Sequence, residues 1–234
     1  AALTLLSSMA GNCSRARVES MNKMNEGVIA AQQKRFMDAV KSLESAAAID
    51  PQNDQVFWNM AIVHMEMRKY ERARDDLQKG IAVNPSSAGY HEKLGTVLIE
   101  LKDWPAAKTA FTKAIELDAS LFKAHFKLAQ VDEELDDPQS ALKHYTDAVQ
   151  KGPRFLEAYS ALGRLYADLM YLEQASQVLT EALKVALAGT EEEAQAHHLL
   201  GPVPIALVGV VRKALMNRER PVVGRHEKRG PGQR

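Results

Sequence analysis

The residues of this 234-residue chain whose types could do chemistry are seven histidines, one cysteine and a scatter of carboxylates. Cys13 is the sole thiol, so no intrachain disulfide framework can form. No base stands at a spacing that would mark it as a nucleophile. "HEKLG", from His91, begins like an H-E-x-x-H metal-binding helix, but Gly95 occupies the place of the second ligand. In "EEEAQAHH" (191–198), Glu193 and His197 lie one helical turn apart and His198 follows. Two such groups can approach a metal, yet no third carboxylate or cysteine lies within sequence reach. His64, His125 and His144 are dispersed along the chain. No phosphate-cradling G-x-x-x-x-G-K-[ST], dinucleotide G-x-G-x-x-G or nucleophile-elbow G-x-S-x-G occurs. The expectation is a chain that is not an enzyme and that has no cofactor and no metal site.

The composition is 46% hydrophobic and 26% charged, ordinary for a folded protein and unlike a disordered one. A net charge of zero hides an asymmetry: residues 212–234 carry eight Lys or Arg against two Glu, or +6, so the remainder carries −6. No apolar run approaches the roughly 20 residues that span a bilayer.

The dominant feature is a 34-residue period. Blocks 20–53, 54–87, 88–121, 122–155 and 156–189 align without insertion or deletion. Block position 20 is Ala39, Ala73, Ala107, Ala141 and Ala175. Position 8 is always small (Gly27, Ala61, Gly95, Ala129, Gly163), and so is position 27 (Ala46, Gly80, Ala114, Ala148, Ala182). Position 24 is always large: Leu43, Leu77, Phe111, Tyr145 and Leu179. Position 32 is Pro51, Pro85 and Pro153, with Ala119 and Leu187 as departures. Within each block two stretches place apolar residues at i, i+3, i+4 and i+7, so each block predicts a pair of amphipathic helices. The small columns let helix backbones approach, and the large column fills the space beside them. Pro105 and Pro138 fall near the first turn of second helices, where the missing N–H costs least. One helix pair cannot bury its apolar stripe alone, whereas five stacked pairs share a continuous core.

These columns resemble the tetratricopeptide repeat, a 34-residue family pattern of large-x-x-L-G-x-x-Y…A-x-x-x-F…A…P. The resemblance covers about residues 20–189 and is cleanest at "YSALGRLYADLMYLEQASQVLTEAL" (159–183). Glu26 replaces the usual leucine in repeat one, and Asp132 replaces the usual tyrosine in repeat four. The resemblance implies an all-α, right-handed solenoid of about five helix-turn-helix repeats. It also implies a concave groove lined by the first helix of each pair, binding a peptide or a partner protein.

Carried onto this chain, the family's contact positions are Met21, Met24, Val28 and Ala31 in repeat one, and Gln55, Trp58, Asn59, Ile62 and Met65 in repeat two. Repeats three and four add Glu92, Lys93, Thr96 and Ile99, then Lys123, Phe126, Lys127, Gln130 and Glu133; repeat five adds Glu157, Ser160, Arg164 and Asp168. The face is apolar and methionine-rich at its start, and mixed with cations further on, which suits a peptide apolar at one end and acidic at the other. The clamp by which some family members hold chaperone carboxyl termini is not expected. Met24 and Val28 stand where it needs Lys and Asn, and Gly89 where it needs a second Lys, although Asn59 and Lys93 match.

The two ends read differently. Residues 1–19, "AALTLLSSMAGNCSRARVE", are expected to be a leader, either a signal-peptide remnant or disordered. "AGNC" loosely resembles a bacterial lipobox, although Asn12 and Ala10 depart from it. Lipidation of Cys13 would make the chain an envelope lipoprotein assisting a pilus, secretion or cell-wall assembly. It is also the only expected route to a membrane; the chain is expected in the bacterial periplasm or envelope if the leader is a signal-peptide remnant, and otherwise in the cytoplasm. A third reading is the non-catalytic part of an enzyme, or a weak metal-site protein using His197 and His198. Residues 190–201 start like an incomplete sixth repeat, and 202–234 form an irregular basic tail. That abrupt loss of register reads as a truncated or frame-shifted end, so no nucleic-acid partner is expected.

Overall fold

A computed structural model of the chain describes residues 2–189, with side chains over 15–185. Among these residues all regular structure is helical: α1 (Ala2–Gln32), α2 (Phe36–Ile49), α3 (Asp54–Glu66), α4 (Tyr70–Val83), α5 (Ala88–Glu100), α6 (Trp104–Leu117), α7 (Phe122–Glu134), α8 (Pro138–Lys151), α9 (Leu156–Asp168) and α10 (Leu172–Gly189). The second helices start at residues 36, 70, 104, 138 and 172, so the 34-residue period of the sequence is the period of the fold. The fold class is an all-α helical-repeat solenoid. Two compact units divide it, Ala1–Lys151 and Gly152–Arg234.

The turn inside each pair has one cause. Lys34, Arg68, Lys102, Asp136 and Met170, all at block position 15, adopt positive φ between 55° and 64°. The next N–H then reaches back five residues, as in Arg35 to the Ala30 carbonyl (2.9 Å) and Lys69 to the His64 carbonyl (2.8 Å). This is a Schellman closure made without glycine. Pro105 lies in the first turn of α6 and Pro138 begins α8, as their missing N–H groups require.

In the first unit α1–α8 pack as successive antiparallel pairs, each first helix also touching the second helix before it. The alanines at position 20 and the large residues at position 24 are essentially solvent-free. The contact that defines a pair is between positions 8 and 24. A Cβ on Gly27 would fall 2.7 Å from the Leu43 side chain, and one on Gly95 2.7 Å from the Phe111 ring. Gly80 meets the Tyr90 ring of the next pair even more closely. In the second unit α9 packs on α10, and Gly163 repeats the contact with Leu179 at 2.7 Å.

Helix α1 runs unbroken from Ala2, and Ser20, at the expected boundary, is buried and donates to the Ala46 carbonyl at 2.9 Å. Residues 190–201 and 202–234, with Glu193, His197 and His198, lie outside the described residues, as does the Cys13 side chain.

Candidate functional site

The candidate binding face is built on the first helices. On α3, Trp58 is only partly covered: it packs edge-on against Tyr90 of α5, with ring centroids 5.2 Å apart and planes at 88°. Lys93, one helical turn further along α5, holds its ammonium 5.8 Å from the Trp58 ring centroid. Gly89 lies under the indole, where a Cβ would sit in ordinary contact at 3.7 Å. The Tyr90 hydroxyl donates to the Asp54 carbonyl, and burial followed by the Asp54 charge pushes its pKa up. Trp58 is thus held by Tyr90, Gly89 and Lys93 and stays half-buried.

Before Trp58 lies an apolar cavity of about 330 Å³, walled by Val28 and Ala31 of α1, Phe36 and Leu43 of α2, and Asn59, Ile62, Val63 and Glu66 of α3. Asn59 turns its amide back to the Gln55 carbonyl (2.9 Å), which leaves the wall largely hydrocarbon. Met24 packs partly into the first core and Met65 into the second, while Met21 stays exposed. Beyond Trp58, Thr96 bonds the Glu92 carbonyl at 3.1 Å within α5. On α7, Lys127 lies 5.9 Å from the Phe126 ring and donates to Gln130 at 3.1 Å; Lys123 lies 6.0 Å from the Phe122 ring. Lys93 and Lys123 have no carboxylate within ion-pair distance among the described residues. A cation resting on an aromatic face keeps its charge available for an incoming anion. Arg164 belongs to the second unit, where it pairs with Asp168 at 3.3 Å on α9.

The structure therefore brings Val28, Asn59 and Ile62 into one cavity and Trp58 and Lys93 into one contact. Sequence reasoning missed a second set of polar residues, behind this face. His64 Nδ1 lies 2.6 Å from Asp76 with both side chains buried. Asp132, wholly buried, binds His144 Nδ1 at 2.6 Å and Lys108 Nζ at 2.7 Å. The hydrogen bond with Asp132 pushes the Lys108 pKa up. Both pairs join block positions 11 and 23, as His with Asp in repeat two and Asp with His in repeat four. That reversed spacing of 12 residues was the available signal. The arrangement is an interhelix bridge, and among the described residues no group of three metal-ligating side chains occurs. No helix among them is long and apolar enough to cross a membrane.

Helix pairs of fixed length, closed by the same turn and open along one face, define the class of helical-repeat interaction scaffolds. Residues 30–96 and 156–188 match models of the tetratricopeptide repeat family, so the chain carries tetratricopeptide repeats over these stretches. Among solved structures it is similar to a crystal structure of MamA protein (21% identity, 75% of this chain and 96% of that chain, TM-score 0.69). A MamA fragment from Desulfovibrio magneticus RS-1 is also similar (15% identity, 73% and 96%, TM-score 0.66). So is YrrB, described as a TPR protein with an unusual peptide-binding site (19% identity, 75% and 89%, TM-score 0.61). At these identities the likeness is one of fold. No match is found among curated proteins.

Proposed function

We propose that this chain is a non-catalytic scaffold that binds an extended peptide or a segment of a partner protein along the concave face of its first helices. The observation that carries the reading is Trp58 on α3, an indole supported by Tyr90 and capped by Lys93; the same helix also lines the apolar cavity through Asn59 and Ile62. A half-buried aromatic ring already fixed by its neighbours supplies contact area with few rotors to freeze, as interface anchors do. The partner segment would place apolar side chains in the cavity and carboxylates near Lys93, Lys123 and Lys127. YrrB, of the same fold, is described as having a peptide-binding site, which supports a peptide as the partner class. The narrower envelope-lipoprotein reading rests on the apolar leader and the imperfect lipobox at Cys13, and gains no further observation.

The test is selection of peptides on the immobilised full chain from a randomised display library. The reading expects a consensus pairing aliphatic residues with acidic ones, and binding that is lost on Trp58→Ala. Selected peptides that are basic, or that bind the variant equally well, would overturn it.

A further inference from the structure

The opposite side of the first unit carries a different feature. Between α4 and α6, over α5, lies an open cavity of about 860 Å³ with Ile81, Leu94, Leu98, Ala106 and Ala110 on its floor and walls. Its rim carries Arg74, His91 and Lys113, with one carboxylate, Asp103, among them. Spaces of this size hold a ligand's worth of side chains. The same location one repeat later, between α6 and α8, is plugged: Lys108 crosses it to Asp132, and His144 closes on the same carboxylate. One repeat earlier the His64–Asp76 bridge occupies positions 11 and 23. In repeat three those positions are Leu98 and Ala110, so nothing polar bridges the helices and the gap stays open.

A matching projection exists on the same chain. The αL turn between paired helices reads Lys34-Arg35, Arg68-Lys69, Lys102-Asp103 and Asp136-Asp137 in the first four repeats, but Met170-Tyr171 in the fifth. There Met170 is 74% exposed, and Tyr171 and Leu172 are 45% and 40% exposed, three apolar residues in succession at a tight turn. Glu173 follows directly and has no cation within ion-pair distance among the described residues. A carboxylate beside the projection suits a rim carrying Arg74 and Lys113, whose present partners are the exposed Asp75 and Glu116.

We infer that the cavity between α4 and α6 receives the Met170-Tyr171-Leu172 turn of a second copy of this chain. The two surfaces are different patches, so the contact is head-to-tail and can propagate beyond a dimer. The surface is distinct from the proposed peptide face, and peptide binding can fail or succeed independently of it.

The test is sedimentation velocity of the full chain from micromolar to hundreds of micromolar. The average mass is expected to rise with concentration. Met170→Lys, which installs the residue found at Lys34 and Lys102, is expected to stay monomeric. Ala106→Lys, which obstructs the cavity, is expected to do the same; should it unfold by circular dichroism, Thr109→Glu on the cavity wall replaces it. Mixing the projection variant with the cavity variant should restore a one-to-one dimer that grows no further, since one copy keeps the socket and the other the turn. A wild-type chain that is monomeric throughout would leave the cavity to some other protein and overturn the proposal. Association that survives Met170→Lys, or a mixture that does not pair, would overturn it equally.

Discussion

Gly95 of α5 faces the flat of the Phe111 ring on α6 so closely that an added Cβ would lie within 2.7 to 2.8 Å of three ring carbons. Phe111 is wholly buried, so the ring cannot swing into solvent. Gly95→Ala gains about 0.5–1 kcal/mol of helix propensity, but forces a ring or helix shift costing about 1–3 kcal/mol. A net loss of stability is expected in urea unfolding. Ala107→Leu on the same α6, at another solvent-free site, should lose at least as much. A neutral result at both positions would contradict the register.

The buried bridge of repeat four should behave unlike a simple stabiliser. His144→Ala leaves Asp132 buried with only Lys108 and should cost about 3 kcal/mol. Asp132→Leu with His144→Ala recreates the Leu98 and Ala110 of repeat three and removes the buried carboxylate and its half-buried partner together. The double variant is expected to be more stable than His144→Ala alone, because replacing a buried pair is cheaper than breaking it. A double-mutant cycle by chemical denaturation measures this, and strict additivity would refute it.

His125 supplies a pH dependence with a defined sign. Burial pushes its imidazole below the usual 6.5, outweighing the Ala119 carbonyl and Asp147, which raise it; Lys151 and His144 lower it further. The unfolded chain therefore binds the proton more readily than the folded one. The stability linked to this group is present above pH 6.5 and is lost as pH falls below that value. The urea midpoint should drop between about pH 7.5 and about pH 5.5, and His125→Phe, matching buried Phe57 one repeat pair earlier, should flatten part of that slope. An unchanged slope would contradict the assignment.

The repeat was legible because packing writes itself into single columns: Ala107, Gly95 and Phe111 each announce their size, and a 34-residue shift finds their counterparts. The turn was not legible, since Lys34, Arg68, Lys102 and Asp136 share a backbone conformation but no side-chain property. Nor were the bridges, because His64 and Asp132 occupy one column with opposite charge types, and only their partners at 76 and 144 make the exchange visible. The groove expectation came from family positions rather than from chemistry. The structure supplied the particulars for Trp58, Lys93, Val28 and Ile62.

On the proposed function, the partner crosses the first-helix face at Trp58. The most direct test is calorimetric titration of the full chain and its variants with the tightest library-selected peptide. Trp58→Ala should weaken binding by more than ~2 kcal/mol, about thirtyfold, with helicity unchanged, while Met170→Lys and Thr109→Glu keep wild-type affinity. Wild-type affinity in a folded Trp58→Ala variant, or loss of binding on Thr109→Glu instead, would contradict it.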